Sequence, residues 1–201
     1  MPKALSSQER MFIQARLKKE ACASLKVLGV RKTTVDELVK RVNIPKGTFY
    51  LFYSSKELLF YEVIMDFHDE IQEALHASLQ NSKQPLDSQA LADLLFALFK
   101  RVDASFLATL IQNKEMELIM RKLPKEVMAQ HAQTDDMSMQ LFLSLLPVEL
   151  DQAEVRVFSA ALRAIFLTML FKQEIGEDVF DDAMKLMLEG IVVQILKDRS
   201  V

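Results

Sequence analysis

An all-α fold is predicted by three features of the 201-residue sequence. Leu, Met, Ala, Lys and Glu are abundant, whereas runs of β-branched residues are few. Apolar residues recur at three- and four-residue intervals, the spacing of one helix face. Only four glycines and five prolines interrupt that pattern, while 50% of the residues are apolar, enough for a sizeable core.

The elements follow in order from these intervals. Ile13, Leu17, Ala21, Leu25 and Leu28 form the stripe of a first helix that stops at Gly29, a residue that readily takes the left-handed, helix-ending conformation. Thr34 and Glu37 read as a capping box opening a second helix, whose apolar positions Val35, Leu38, Val39 and Val42 must bury against neighbours. Asn43 takes the turn, since it tolerates positive φ, and Pro45 belongs in the first turn of a third helix, over about 45–52.

Ser54 with Glu57 repeats the capping box, and Phe60, Ile64, Phe67, Ile71 and Leu75 continue as a long connecting helix. The polar string around Pro85 is a loop. Further helices are predicted over 89–101, 105–120, 125–146, 151–174 and 179–197. The expected domains are 1–60 and 61–201.

Charge separates these two parts. Residues 1–60 hold 12 Lys and Arg against 5 Asp and Glu, a net of +7, whereas the remainder is net −10. A basic front on an acidic body suits a nucleic-acid reader with a second, non-binding domain. The amino terminus lacks a signal-peptide pattern and no apolar run approaches the roughly 20 residues needed to span a bilayer, so a cytoplasmic protein is expected. The single Cys22 reads as a small core residue. His68, His76 and His131 make no metal pattern, and no phosphate loop or nucleophile set appears, so no metal, cofactor or catalysis is expected.

Two short helices joined by a tight turn, the second entered by Lys46-Gly47-Thr48-Phe49-Tyr50-Leu51-Phe52-Tyr53, form the geometry with which a helix enters the DNA major groove. Gly47 permits close approach of the phosphate backbone. Thr48 and Tyr50 offer hydroxyls and Lys56 a charge, contacts that position rather than specify.

The segments Thr33-Thr34-Val35-Asp36-Glu37-Leu38, Asn43-Ile44-Pro45-Lys46-Gly47-Thr48-Phe49-Tyr50 and Ser55-Lys56-Glu57-Leu58 resemble the amino-terminal signature of the tetracycline-repressor (TetR) family of transcription regulators, over roughly residues 10–65. The resemblance implies a helix-turn-helix domain joined by a long helix to a helical ligand-sensing and dimerisation domain. It implies phosphate contacts from Thr48, Tyr50 and Lys56, groove-facing Lys46, Thr48, Leu51 and Phe52, and core packing of Phe49 and Tyr53. Thr34 and Gly47 complete the expected DNA-binding set. Asn43 stands where the family usually has glycine, Pro45 where it has a capping serine, and Leu51 and Phe52 are less polar than is usual there.

Beyond the linker the resemblance is to an all-helical plan. Phe158, Ala161, Ile165 and Met169 on one of the last two helices, and Met184, Leu188, Ile191 and Ile195 on the other, form wide apolar faces. The family's last two helices pair with those of a second subunit, so these residues are the expected dimer interface. Phe96, Phe99, Phe106, Met116, Met120, Met137, Met139 and Phe142 make the middle of the domain rich in adaptable side chains. Singly each packs a core; as a group they suit an apolar pocket. The expected protein is a homodimeric repressor, released from operator DNA by a small, largely apolar effector. The alternative is a helical-bundle small-molecule binder or enzyme without specific DNA binding, which salt-dependent DNA affinity would distinguish.

Overall fold

The computed structural model describes residues 5–81, 87–127, 143, 146 and 148–197, and every regular element among them is a helix. The order is α1 (Ser7–Lys32), α2 (Val35–Val42), α3 (Lys46–Phe49), α4 (Lys56–Asn81), α5 (Ser88–Asp103), α6 (Phe106–Gln112), α7 (Met116–Met120), α8 (Gln152–Thr168), a 3-10 turn (Met169–Phe171), α9 (Lys172–Ile175) and α10 (Phe180–Leu196). Two compact units result, one of Met1–His68 with Ser105–Lys125, the other of Asp69–Ala104 with Glu126–Val201. The expected division at residue 60 differs from this one chiefly because α6 packs with α1 and residues 105–125 group with the first unit.

In the first unit, local hydrogen bonds set the element boundaries. Ser6 and Glu9 cap α1 reciprocally, and Thr34 and Glu37 do the same for α2, with Glu37 N–H 3.2 Å from the Thr34 hydroxyl and Thr34 N–H 2.9 Å from the Glu37 carboxylate. Asn43 ends α2 in the left-handed region at φ 60°, ψ 52°. Pro45 precedes α3 as its N-cap, one position outside the predicted first turn. Ser55, rather than Ser54, caps α4: its hydroxyl accepts from Leu58 N–H at 3.2 Å. Gly29, at φ 72° and ψ −172°, breaks the helical path of α1 as expected, and a short last turn runs on from that kink to Lys32.

Leu17, Ala21 and Leu25 of α1, Leu38 and Val42 of α2, Phe49 of α3 and Leu59 and Phe60 of α4 are buried. Polar groups tie α1 to α4 around this core. The Lys18 ammonium lies 2.9 Å from Asp66 and 3.2 Å from Glu62, and Tyr53 donates to Glu62 at 2.8 Å. Burial depresses the Lys18 pKa, but its pairing with Asp66 and Glu62 outweighs that and raises it. Burial, reinforced by the bond to Glu62, holds the Tyr53 phenol well above its ordinary pKa. The predicted helix 105–120 is broken into α6 and α7, because Lys114 adopts φ 53° between them.

In the second unit α10 packs against α5 and α8. Asp87 caps α5, and Asp151 with Glu154 forms the capping box of α8. The single helix predicted over 151–174 becomes α8, a 3-10 turn and α9, which ends at Gly176 with φ 115°. Lys172 pairs with Asp103 at 3.0 Å and Lys100 with Asp181 at 2.8 Å, fastening α9 and α10 to α5. The Phe99 and Phe166 rings pack 5.9 Å apart. Almost all of the helix predicted over 125–146 lies outside the described residues, as do Met137, Met139 and Phe142. No helix among the described residues is long and apolar enough to cross a membrane.

The faces of α8 and α10 differ in exposure within the single chain. Ile165, Met169, Met184, Leu188 and Ile195 are buried within the single chain, and Phe158, Ala161 and Ile191 are half-buried. The buried ones among them pack in the chain's own core. The exposed large apolar side chains are Val157 and Leu167 on α8 and Leu186, Met187 and Val193 on α10.

Candidate nucleic-acid interface

Helix α2, the left-handed Asn43 and the short α3 place a compact hydrogen-bonded unit at the surface. Asn43 N–H donates to Lys40 O and Ile44 N–H to Val39 O, closing the turn. Thr48 N–H donates to Pro45 O, and after α3 the chain continues in tight turns, Leu51 N–H to Thr48 O and Phe52 N–H to Phe49 O. These bonds fix the backbone from which the candidate side chains project.

Phe49 is fully buried and Tyr53 nearly so, and the Phe49 ring meets Tyr50 edge-on at 5.4 Å and Tyr53 at 5.8 Å. One buried ring thus orients the two tyrosines flanking it. Tyr50 and Leu51 face outward, 51% and 61% exposed. Gly47 is exposed with nothing within 4 Å of where a Cβ would stand, so no protein contact demands a glycine there and the open space lies over the start of α3. Thr48 is half-buried.

Lys46 is exposed and bonded to Asp36 at 2.9 Å; that hydrogen-bonded pair raises its pKa above the ordinary lysine value. A phosphate would have to compete with Asp36 for this ammonium. Phe52 is half-buried beneath the Arg10 guanidinium, 5.0 Å from the ring centre, so it presents less free surface than Leu51. The Thr34 hydroxyl is engaged in the α2 cap, accepting from Glu37 N–H and donating to the Glu37 carboxylate. Lys56 donates to Val30 O and Thr33 O at 2.7 Å each, which leaves one of its three protons for another acceptor.

The sequence reading found the α3 residues but not Arg10, Asp36 or the carbonyl partners of Lys56. Asp36 had a local signal, ten residues from Lys46 and in the first turn of α2; the other two pairings join distant segments. Among the described residues no group of three or more His, Cys, Asp and Glu side chains is arranged to hold a metal ion.

Residues 19–63, which span this arrangement, match the family model described as bacterial regulatory proteins, tetR family. That segment resembles the amino-terminal domain of the TetR family. The uncharacterized HTH-type transcriptional regulator YdgC of Bacillus subtilis (strain 168) is 36% identical over 64 residues, 32% of this chain and 33% of that protein. The match therefore spans about a third of that curated relative's length. Among solved structures, a TetR transcriptional regulator from Rhodococcus sp. RHA1 aligns with a TM-score of 0.64 at 14% identity, over 94% of this chain and 98% of that one. A putative TetR-family regulator from Mesorhizobium loti MAFF303099 gives 0.62 at 13%, over 98% and 100%. RolR in complex with resorcinol gives 0.54 at 19%, over 93% and 96%. At these identities the likeness shows the fold alone, and it extends over both units.

Proposed function

We infer that the chain is a DNA-binding transcription regulator whose α3 enters the major groove. The observation that carries this reading is the α2–Asn43–α3 unit, with Gly47, Tyr50 and Leu51 outward over a buried Phe49. Its basic segment and its match to the TetR model support the same reading. Tyr50, Thr48 and Gly47 are assigned to phosphates, Lys46 and Leu51 to the groove, and Phe52 to a supporting position. Lys56 contributes at most its remaining proton, and Thr34 acts through the α2 cap. Selection of bound fragments from a random duplex library tests this: an enriched motif supports the reading, and no enrichment at low salt contradicts it.

The regulator acts as a homodimer through α8 and α10. Exposed Val157, Ala160, Ala164 and Leu167 recur at three- and four-residue spacing on α8, as do Leu186, Gly190 and Val193 on α10. The small residues within these stripes allow close helix approach. Such a two-fold protein selects a palindromic site with half-sites about 34–36 Å apart or a multiple of that.

The regulator is a repressor released by a small, largely apolar effector. A structural relative, RolR, has been solved with resorcinol, which supports a small-molecule ligand for this fold. Of the residues first assigned to a pocket, Phe96 and Phe99 belong to the second unit and Phe106, Met116 and Met120 to the first. In the second unit the Phe96 ring lies 4.7 Å from the Lys185 ammonium and Phe99 packs on Phe166 at 5.9 Å, and in the first Phe106 packs on Phe67 at 5.6 Å. Effector and operator must weaken each other's binding by the same factor.

A further inference from the structure

Glu115 is the one charged residue buried among the described residues, 6% exposed, and it sits at the break between α6 and α7. The left-handed Lys114 turns the chain there, and Glu115 is held by its own backbone, its N–H donating to Leu110 O at 2.8 Å and its carbonyl accepting from Leu118 N–H at 3.0 Å. Its side chain is thereby aimed at the end of α1. One carboxylate oxygen accepts from Val30 N–H at 2.7 Å, and the other lies 3.5 Å from Arg31 N and 3.8 Å from the Arg31 guanidinium. A buried carboxylate is costly unless it is hydrogen-bonded, and these amides are its partners.

Gly29 fits the same contact for two reasons. Its φ of 72° disfavours other residues, and a Cβ there would collide with the Glu115 carboxylate. On the carbonyl side of this segment, Lys56 grips Val30 O and Thr33 O, and the Thr33 hydroxyl donates to Gly29 O at 2.7 Å. The link between α1 and α2 is thus held by an anion on its amides and a cation on its carbonyls. The next residue is the Thr34 cap of α2.

We propose that Glu115 is a positioning residue for DNA binding, a carboxylate latch by which the α6–α7 break fixes the α1–α2 link and so the presentation of α2 and α3. The proposal rests on the DNA-binding reading above. Removing the carboxylate leaves the buried Val30 amide without its acceptor, and the link must re-seat to satisfy it. Because Glu115 acts through the backbone and not on phosphate, its loss lowers affinity while leaving the number of neutralised phosphates, and hence the salt slope, as before.

The full chain, Glu115→Gln and Glu115→Ala are titrated with a labelled duplex selected by the unmodified protein, and amide exchange is followed in parallel. Glu115→Ala is expected to bind about tenfold more weakly at an unchanged salt slope, with Val30 and Arg31 exchanging at least about tenfold faster, in line with loss of a hydrogen bond to a charged group. Glu115→Gln, which keeps an acceptor for Val30, is expected to fall between. A folded Glu115→Ala variant with unchanged affinity overturns the proposal.

Gly29→Ala gives a second route. It displaces the same carboxylate, so its loss of affinity is expected to shrink in the Glu115→Ala background; fully additive losses overturn the latch. If the unmodified protein selects no duplex, the DNA-binding reading fails by itself. The latch is then decided by exchange: faster Val30 exchange in Glu115→Gln and Glu115→Ala upholds the backbone contact, and unaltered exchange overturns it.

Discussion

Around the α2–α3 turn, hydrogen bonds spanning three to five residues fix where each helix starts and stops, whereas in α8 and α10 the deciding factor is which of two apolar faces turns inward. Thr34 and Glu37 bond each other across a single turn, and Asn43 closes α2 by its own backbone conformation. On α10, by contrast, Met184, Leu188, Val192 and Ile195 are buried while Leu186, Met187 and Val193 remain exposed, although the residue types are alike. Local chemistry specifies the first region. The second is specified by packing with α5 and α8, which acts over long stretches of chain.

The largest expected effect separates the two faces of the carboxy-terminal helices. Ile165→Glu places a carboxylate at a site 4% exposed and is expected to cost more than about 4 kcal/mol in urea denaturation. Leu186→Glu, at a site 71% exposed, is expected to leave the helix content unchanged and turn a dimer into a monomer in light scattering. If Leu186→Glu stays dimeric and folded, the dimer face lies elsewhere. If Ile165→Glu is as stable as the unmodified chain, the buried face is misassigned.

A smaller effect tests whether the first region depends on its local caps. Thr34→Ala removes the α2 cap and is expected to cost about 1 kcal/mol of stability, with Thr34→Asp recovering most of it, since both Thr and Asp are good N-cap residues. Recovery by Thr34→Val, which keeps the shape but not the hydroxyl, would show that packing and not the hydrogen bond matters.

The smallest effect appears at alkaline pH. The folded-state pKa of Tyr53 is raised by burial and then by Glu62, so the folded chain holds this proton more tightly than the unfolded one. Its contribution is fully present below the unfolded value of about 10 and is lost as pH rises above it. Tyr53→Phe is therefore expected to flatten the decline of stability above about pH 10 and to remove the last step from a tyrosine absorbance titration. An unchanged alkaline profile would mean that other groups carry it.

These contrasts also explain what could be read from the sequence. Thr34, Glu37, Asn43 and the burial of Phe49 and Tyr53 were legible because their signals are local or carried by a specific family pattern. The α4 cap was placed one residue early because Ser54 and Ser55 are chemically equivalent in sequence, and only backbone direction selects Ser55. The break at Lys114 carries no glycine or proline, so periodicity ran through it. Glu115 was invisible for a different reason: its partner Val30 is 85 residues away. The two apolar faces of α8 and α10 could not be ranked, since periodicity identifies apolar stripes but not the neighbours they meet.

The central claim, that the exposed surface of α3 reads duplex DNA through phosphate contacts, is tested most directly by the salt dependence of binding to a selected duplex. Affinity of the unmodified chain should fall steeply and linearly in log–log form as salt rises. Tyr50→Phe should weaken binding at every salt concentration and on all sequences, because it deletes one hydroxyl from an otherwise intact ring pair. Lys46→Ala should weaken binding to the selected duplex more than to unrelated sequences, because its ammonium is assigned to the groove. Affinity that is independent of salt, or unaltered by both substitutions, would contradict the assignment of this surface to DNA.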